Sequence, residues 1–421
     1  MRTSSILFLS LSLGLLPAAS LSAQSAPFFD TFGYPWHTKP GTVIPKANPV
    51  LGVPSPNGAW DKVIWARGGG WPTVDYLAEN VDTRLTGGKS VLVLAVTPPP
   101  SSGKAAGGAE VIHRVRRVFG SCRARLKPSP GTWNGSPNSP GVCNGFYLIS
   151  SQVEIDMEFL SIAQGRKPGR GQFEIVIHDY TFKPGNRLSF RKSVPLPFDP
   201  SREFHEYGFD WYPGYVEFFV DGKKAAVVRN GAQGRINVPP WVAGITFPAA
   251  GKAVPAALRL NNWTDLWGWC GPPPSKRMEF QIDWICWSPL YFGSDANEIS
   301  LTSGGRAGMS LLGGPGRKGS GYLVLSSPLP LDRGLQLAGL GMPLELDLSL
   351  TPLLLSLANS SFFPGFLGLL DGAGRAAPAF VIPAGLSPSL AGTAFRFCPL
   401  LFDAATGALG PWGNPLTVTL R

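Results

Sequence analysis

The stretch Val153–Leu160 constrains this chain more than any other, because apolar and charged residues alternate from Val153 to Phe159. Glu154, Asp156 and Glu158 occupy every second position, and apolar residues lie between them. Side chains of a β-strand alternate between two faces, so the three carboxylates share one face while the apolar residues point to a core. The stretch therefore predicts a strand that is buried on one side and acidic on the other.

Three acids on one strand face repel one another, and like charges raise one another's pKa. One acid can then stay protonated near neutral pH while another stays ionised. Glycoside hydrolysis uses such a pair, and retaining enzymes hold the two carboxyl groups about 5.5 Å apart. Positions i and i+4 on a strand are about 13 Å apart at Cα, so Glu154 and Glu158 would have to lean together on a concave sheet. A solvated edge strand is the alternative interpretation.

The rest of the chain is typical of an all-β protein. It contains 52 glycines and 42 prolines, only 15% of its residues are charged, and no long stretch has helical periodicity. Short apolar runs are separated by turn residues, and Asp221-Gly222 between two such runs predicts a tight hairpin. Many short strands without intervening helices indicate a sandwich or a barrel.

Composition changes near residue 290. Twelve of the 13 tryptophans precede it, and residues 291–421 carry seven basic and seven acidic residues, so the net charge of +10 belongs to the first part. We expect a first domain at 24–290 and a smaller β-module at 300–421, with strands at 344–350 and 415–420. No cluster of reactive residues occurs in the second part, so we interpret it as accessory.

Residues 1–23 predict a secretory signal peptide, because Arg2 is followed by an apolar run and then by small residues. The run is too short for a membrane span of about 20 residues, and no later stretch qualifies. We therefore expect a soluble protein that is secreted or periplasmic, which argues against a nucleic-acid partner. Five cysteines fit an oxidising compartment without fixing a pairing. Cys122–Cys143 and Cys270–Cys286 are closest in sequence, and one cysteine would remain.

Several motifs in order resemble glycoside hydrolase family 16, the lichenase and endo-β-glucanase group. Glu154-Ile155-Asp156-Met157-Glu158-Phe159 is similar to the family's E-[ILV]-D-x-E-F. The similarity runs from about residue 111 to 289, and the other matching segments are 120–127, 204–211 (F-H-x-Y-x-F-x-W), 218–223 (F-Y-V-D-G-K), 260–263 (M-N-L-W) and 282–285.

The resemblance implies a concanavalin-like β-jelly-roll sandwich of two curved antiparallel sheets with an open cleft. By position, Glu154 would be the nucleophile and Glu158 the general acid/base, with retention of configuration, and Asp156 would tune the pair. The compact spacing resembles the lichenase and xyloglucan-active branch, which implies a β-1,4- or mixed β-1,3/1,4-glucan. Hydrolysis is expected over transglycosylation, by an endo-acting monomer that requires no cofactor. Asp283 matches a position that helps to bind a structural calcium in many members, and its partners cannot be placed.

Aromatic and amide side chains are expected to bind the polysaccharide, because sugar rings have apolar faces that stack on flat π-systems. Trp263 and Tyr207 are the predicted stacking residues, and Asn261 and Arg125 the predicted hydrogen-bonding residues. Trp267 and Trp269 flank a loop near the predicted cleft. His205 and Trp211 are expected to be structural.

Two departures from the family pattern concern the substrate. Arg123 stands where members often carry Glu, and the loop at 128–140 is longer. With the net charge of +10, they raise an anionic polysaccharide, sulfated or uronate-bearing, with a sulfated galactan as the second substrate class. The alternative interpretation is that these lysines and arginines only solvate the surface. The alternative function is a non-catalytic carbohydrate-binding or surface protein on the same sandwich.

Overall fold

The computed structural model describes residues 27–33, 59–62, 74–101, 105–136, 138–164, 169–183, 186–233, 244–265, 269–329, 335–337, 340–342, 344 and 359–421. The predicted signal peptide (1–23), Trp267 and nearly all of the strand predicted at 344–350 lie outside these residues. No helix among the described residues is long and apolar enough to cross a membrane.

The described residues of the first part of the chain contain sixteen strands. They are β1 (Phe28–Asp30), β2 (Trp60–Lys62), β3 (Val74–Tyr76), β4 (Val81–Thr86), β5 (Lys89–Val96), β6 (Ala106–His113), β7 (Gly120–Lys127), β8 (Cys143–Ile149), β9 (Val153–Leu160), β10 (Gly171–Lys183), β11 (Asn186–Leu196), β12 (His205–Tyr212), β13 (Tyr215–Val220), β14 (Lys223–Arg229), β15 (Ala257–Trp263) and β16 (Met278–Ser288). Short 3₁₀ helices occur at Ala78–Asn80 and Ser161–Ala163.

These strands form two sheets that pack face to face. The sheet with the order β11-β10-β9-β8-β15-β6-β2, with β3 beside β6, is called the cleft sheet because it carries the three acids. The back sheet has the order β14-β13-β12-β7-β16-β5-β4, with β1 beside β16. Pairing is antiparallel throughout except between β3 and β6. The predicted all-β jelly-roll sandwich is confirmed.

The hydrophobic core lies between the two sheets. Ile155, Met157 and Phe159 of β9 are fully buried in it, and Phe209 and Trp211 of β12 enter it from the back sheet. Burying one such side chain contributes about 1.5–3 kcal/mol. The alternation along β9 therefore directs its apolar residues inward and leaves its acids on the opposite face of the cleft sheet.

The predicted hairpin at Asp221-Gly222 joins β13 to β14. Both residues have positive φ, 47° and 74°. This is the requirement of a type I′ turn, whose twist matches that of the flanking strands. The turn fixes the pairing of Val220 with Lys223 at the edge of the back sheet.

A second hydrophobic core begins at Leu290, close to the predicted boundary. Its strands are β17 (Tyr291–Ser294), β18 (Glu298–Ile299), β19 (Gly305–Leu312), β20 (Gly321–Ser327), β21 (Leu335–Leu337), β22 (Leu340–Met342), β23 (Leu367–Leu369), β24 (Arg375–Ala376), β25 (Ala379–Ile382), β26 (Ala394–Phe402), β27 (Leu409–Trp412) and β28 (Leu416–Leu420), with 3₁₀ helices at Pro315–Arg317 and Pro388–Leu390. The larger sheet has the order β18-β28-β26-β20-β23, with β27 beside β26. In β28 the predicted strand near residues 415–420 is observed.

This C-terminal module packs against the outer face of the back sheet. Trp284 and Cys286 of β16 contact a cluster that includes Trp412. The Ser288 hydroxyl donates to the carbonyl oxygen of Trp412, and Tyr291 donates to that of Trp211. The module thus lies on the side of the sandwich opposite the three acids.

All five cysteines are buried and free, so neither sequence-adjacent pairing is formed. Cys122 points into the sandwich core, whereas Cys143 belongs to a cluster at the cleft face. Cys270 belongs to that same cleft-face cluster, and Cys286 lies under the C-terminal module. Because the two members of each pair lie in different hydrophobic clusters, closeness in sequence was a poor guide to closeness in space.

Candidate active site

Glu154, Asp156 and Glu158 lie together in a cavity of about 170 Å³ on the cleft sheet. The remaining residues that line the cavity are Tyr76, Glu110, Gly145, Tyr147, Arg259, Asn261 and Trp263. They come from β3, β6, β8 and β15, which are the strands on one side of β9. The cavity therefore places carboxyl groups, an amide and aromatic rings around one partly open space.

Three buried polar atoms in the cavity have no hydrogen-bond partner among the described residues. They are Asp156 Oδ1, Glu158 Oε2 and Asn261 Oδ1. A buried polar atom without a partner costs about 1–3 kcal/mol, so such atoms are uncommon in folded proteins. Three of them that line one cavity indicate a surface that is completed by a polar ligand.

Gly145 keeps the space beside Glu158 open. It pairs with Glu158 across β8 and β9. A Cβ atom on Gly145 would lie 2.4 Å from Asn261 Oδ1, closer than non-bonded atoms approach. Any other residue at this position would push Asn261 aside and fill part of the cavity.

Glu158 is the acid that is best suited to hold a proton near neutral pH. Burial raises its pKa from 4.5 to about 7, and the negative charge of Glu154 adds to this effect. A hydrogen bond from the Cys143 thiol acts in the opposite direction. Near pH 7 a substantial fraction of Glu158 is therefore protonated, as a general acid requires.

Glu154 is in a more polar setting. Burial raises its pKa, but a hydrogen bond from the Tyr180 hydroxyl and the positive charges of Arg187 and Arg259 oppose this rise. Tyr180 donates to Glu154 Oε2. The hydrogen bond and the two guanidinium groups therefore stabilise the ionised form of Glu154 against the effect of burial, as a nucleophile requires.

Asp156 lies between the two glutamates and is 5% exposed. Burial and the charges of Glu154 and Glu158 raise its pKa well above its ordinary value. This shift favours the protonated form of Asp156. In that form Asp156 would separate the two glutamates without adding a third negative charge.

A second polar network forms the wall of the cavity next to β6. Arg259 donates to Glu110 Oε1 at 2.8 Å, and the Tyr147 hydroxyl donates to the same oxygen at 3.3 Å. Asn261 Nδ2 donates to the Tyr147 hydroxyl oxygen at 3.3 Å. This network holds Asn261 in place and leaves its Oδ1 atom for a ligand.

Of the four predicted substrate residues, the structure brings Asn261 and Trp263 to the cavity. Trp263 is only 3% exposed and packs mainly among apolar neighbours. Trp269, which the sequence placed near the cleft, is partly exposed and carries the guanidinium group of Arg191 at 3.7 Å from its ring centre.

Tyr207 and Arg125 are not at the cavity, so their predicted substrate contacts are corrected. Tyr207 is 0% exposed in the core, and its ring packs edge-on against Phe159 at 4.7 Å. Arg125 lies on the back sheet, where its guanidinium group binds Asp283 and lies 5.1 Å from the ring centre of Phe204. Both residues belong to strands of the back sheet and cannot reach the opposite face of the cleft sheet.

Asp283 does not fit the calcium site that the resemblance implies. Its carboxylate is already bound to the guanidinium group of Arg125. A second cation at the same carboxylate would be repelled by the first. Arg123, the departure from the family pattern, is likewise buried in an ion pair with Asp210 at 2.7 Å, away from the cavity.

Tyr180, Glu110, Tyr147 and Arg259 were missed by the sequence analysis. Arg259, Asn261 and Trp263 occupy alternate positions of β15 and therefore share a face. Extending the alternation backwards from Asn261 would have identified Arg259. Glu110 pairs with Asn261 across β6 and β15, a register that no local pattern reveals.

Replacing Tyr180 by phenylalanine is expected to lower kcat/KM about tenfold, because a hydrogen bond to a charged group contributes about 1.5–3 kcal/mol. Since the hydroxyl lowers the pKa of Glu154, its loss should also move the acidic limb of the pH profile to higher pH. The measurement is kcat/KM against pH on a cleaved polysaccharide. Tyr322→Phe, which removes a hydroxyl bonded to Gly365 in the C-terminal module, is the control. An unshifted acidic limb would contradict this role.

The segment that carries the three acids matches a family model. Residues 80–254 match the family model for glycosyl hydrolases family 16. A β-glucanase of Paenibacillus macerans is 26% identical over 176 residues, which are 40% of this chain and 58% of that protein. Xyloglucan endotransglucosylase/hydrolase protein 2 of Arabidopsis thaliana is 37% identical over 105 residues, 24% of this chain and 33% of that protein.

Among solved structures, a prokaryotic β-1,3-1,4-glucanase (lichenase) from a mouse hindgut metagenome is 23% identical. It covers 63% of this chain and 99% of its own, with a TM-score of 0.42. The chain spans 33% to 58% of the length of the two curated relatives. The match to the family model over residues 80–254 agrees with the motifs around the three acids, so this segment is similar to glycosyl hydrolases family 16.

Proposed function

We propose that this chain is a secreted, retaining, endo-acting β-glycanase that hydrolyses a β-linked polysaccharide. The observation that carries the proposal is the cavity with Glu154, Asp156 and Glu158, in which three buried polar atoms have no partner among the described residues. The family match to residues 80–254 supports it independently.

In the proposed reaction, the ionised Glu154 attacks the anomeric carbon while Glu158 gives its proton to the departing glycosidic oxygen. The covalent glycosyl-enzyme is then hydrolysed by water, from which Glu158 takes a proton, so the starting protonation states return. The hydrogen bond from Tyr180 holds the Glu154 carboxylate. A protonated Asp156 would keep the local negative charge low.

The proposed substrate is a neutral β-1,3/1,4- or β-1,4-glucan. The relatives are named as β-glucanases and xyloglucan endotransglucosylase/hydrolases. The arginine side chain that lines the cavity, Arg259, is paired with Glu110. Because this charge is compensated, it gives a sulfated galactan no net attraction at the cavity, and we rank that class second.

The C-terminal module is proposed to be accessory, since its described strands pack on the back sheet, away from the acids. The protein is proposed to act as a monomer outside the cytoplasm. The alternative, a non-catalytic carbohydrate-binding protein, would need neither the raised pKa of Glu158 nor the hydrogen bond on Glu154.

The test is release of reducing ends by the purified full chain from barley β-glucan, lichenan, xyloglucan, laminarin, agarose and carrageenan. We expect cleavage of a β-glucan into oligosaccharides with a rapid fall in viscosity, as endo-cleavage produces. Binding of a polysaccharide without release of reducing ends from any member of the panel would favour the carbohydrate-binding protein instead.

A further inference from the structure

Two buried thiols adjoin the part of the cavity wall that Trp263 forms. Cys143 is the first residue of β8, and it pairs with Trp263 of β15. The Cys270 thiol donates a hydrogen bond to the carbonyl oxygen of Trp263 at 3.8 Å. Both cysteines are 0% exposed and belong to the same hydrophobic cluster. One residue of the cavity wall therefore has a cysteine on each of two neighbouring chain segments.

The backbone next to the two cysteines is in close contact. Gly141 N donates to the Pro272 carbonyl oxygen at 2.8 Å, and the Thr264 hydroxyl donates to the Gly141 carbonyl oxygen at 2.7 Å. A Cβ atom on Gly141 would lie only 2.0 Å from the carbonyl oxygen of Cys270. Cys270 thus packs on the backbone two residues before Cys143. Such close approach is the first requirement of a disulfide, whose two Cα atoms lie about 4.4–6.8 Å apart.

Cys143 also contacts the proposed general acid. Cys143 and Gly145 alternate along β8 and therefore share the cleft face, and Gly145 pairs with Glu158. Cys143 is then a diagonal neighbour of Glu158, at a spacing of about 7–8 Å between backbones that long side chains can span. The Cys143 thiol donates a hydrogen bond to the Glu158 carboxylate. The chemical state of this thiol therefore acts directly on Glu158.

The other three cysteines lie elsewhere. Cys122 is in the sandwich core, whereas Cys286 and Cys398 lie in the cluster between the back sheet and the C-terminal module. Cys143 and Cys270 are thus the two thiols of the cluster at the cleft face. They are far apart in the chain and come together because the segment after β15 folds over the start of β8.

Burial makes both thiols unreactive once the protein has folded. It raises the pKa of Cys143 and of Cys270 well above its ordinary value. The thiolate is the form that attacks a disulfide, so a folded chain with reduced thiols is oxidised slowly. During folding the same thiols are exposed to solvent. The compartment in which the chain folds therefore decides whether they become linked.

We propose that Cys143 and Cys270 form a disulfide when the chain folds in an oxidising compartment, and that this bond removes a hydrogen bond from the general acid. The oxidant is a small disulfide such as oxidised glutathione. One cysteine thiolate attacks it, which forms a mixed disulfide and releases one glutathione. The second cysteine displaces the other glutathione, so both protein protons and both electrons end on two glutathione thiols.

The disulfide changes the protonation of Glu158 because a disulfide sulfur has no hydrogen to donate. The hydrogen bond from the thiol lowers the pKa of Glu158, so its loss raises that pKa. The inference about Glu158 rests on the proposed hydrolysis. Oxidation alters no other group that acts on this carboxyl, namely Glu154 and Asp156 of β9, Glu174 of β10 and Arg191 of β11.

The first test identifies the cross-link without any substrate. The full chain is unfolded in urea and refolded with reduced and oxidised glutathione or with excess dithiothreitol, and a third sample is exported to the periplasm of a bacterial host. Peptides are mapped by mass spectrometry without reduction. We expect peptides of Cys143 and Cys270 to be linked in the glutathione and exported samples alone. The same glutathione mixture added after reductive folding should leave both thiols free.

The second test compares the oxidised and reduced proteins. The cross-link closes a long loop, so Tm should rise by about 5 °C. The basic limb of kcat/KM on the cleaved polysaccharide should move about half a pH unit higher, the effect of one weak hydrogen bond. Cys143→Ala should show this raised limb whether oxidised or reduced. Cys270→Ala should keep the limb of the reduced wild type under both conditions.

The control is Cys398→Ala, which removes a thiol beside the C-terminal module and should retain both responses. A map without the link between Cys143 and Cys270 would overturn the proposal. If the link formed and raised Tm while the basic limb stayed in place, the bond would be structural only, and its action on Glu158 would be overturned. Failure of wild type to cleave any polysaccharide would instead overturn the proposed function, and the peptide map would still decide the disulfide.

Discussion

Replacing Glu154 by glycine is expected to reduce hydrolysis by about 10³- to 10⁵-fold, because the variant lacks the carboxylate proposed to form the covalent intermediate. Azide should restore turnover, since a small anion can enter the space of the missing carboxylate and attack the anomeric carbon. Direct attack inverts the configuration once, so the product should be an α-glycosyl azide. Product analysis by nuclear magnetic resonance gives the anomeric configuration.

Replacing Glu158 by alanine tests the proposed role of Glu158 as the general acid/base. Loss of a general acid typically costs about 10²- to 10⁴-fold, and the loss is small for a leaving group that needs no proton. With a dinitrophenyl glycoside the covalent intermediate should still form, and azide should then give a β-glycosyl azide by a second inversion. The two variants therefore yield azides of opposite configuration.

The control for both variants is Glu217→Gln, which alters a carboxylate paired with Lys224 on the back sheet. It should hydrolyse the polysaccharide at the wild-type rate. If Glu154→Gly gave the β-azide, the two roles would be exchanged. If neither variant lost activity, the three acids of β9 would not be the catalytic groups.

The strand that carries the three acids was predicted correctly because the residues within that strand are enough to identify it. Alternation along β9 assigns each residue to a face without any knowledge of its neighbours. The same holds for the hairpin at Asp221-Gly222, where the turn residues themselves fix the geometry. Strand identity and side-chain direction are therefore readable from short segments of this chain.

The predictions for Tyr207 and Arg125 failed because motif similarity was used without that alternation. Tyr207 lies four residues before Trp211 on β12, so the two side chains share one face of the strand. Because we expected Trp211 to be structural, the core position of Tyr207 could have been inferred. Arg125 alternates with Ala124 and Leu126, which face the core of the back sheet. Proximity of a motif to the acids in the chain did not mean proximity in the cleft.

The cavity wall could not be predicted from short segments. Glu110 and Arg259 are 149 residues apart and meet because β6 and β15 are neighbours in the cleft sheet. Tyr180 reaches Glu154 only because β10 pairs with β9 in the observed register. Strand order and register depend on the packing of the whole sandwich, so these contacts required the structure.

Replacing Glu158 by glutamine is expected to stabilise the protein at alkaline pH. In the folded protein the pKa of Glu158 is about 7, against an ordinary value of 4.5. Between these values the folded state keeps a proton that the unfolded chain has released, so stability falls as pH rises. Each pH unit in this interval of about two and a half units lowers the free energy of unfolding by up to about 1.36 kcal/mol.

Because the cleft admits some water, which weakens the effect, we expect the free energy of unfolding of the Glu158→Gln variant to exceed that of wild type by on the order of 2 kcal/mol at pH 8. Glutamine keeps the size of the side chain but cannot ionise, so it avoids the cost of a buried charge and the repulsion from Glu154. At pH 4, where Glu158 is protonated in both states, the variant and wild type should be equally stable. Urea denaturation of the two proteins at pH 4, 6 and 8, with Glu217→Gln as control, measures the difference.

If the free energy of unfolding that Glu158→Gln gains over wild type grows from pH 4 to pH 8, the folded protein holds Glu158 in its protonated form. The charged form of Glu158 then lowers the stability of wild type at alkaline pH. The basic limb of kcat/KM for wild type should then fall near pH 7, where the same proton is lost and the general acid disappears. A difference in stability that is the same at all three pH values would contradict the raised pKa. The general acid would then have to be sought elsewhere in the cavity, although Glu154 could still be the nucleophile.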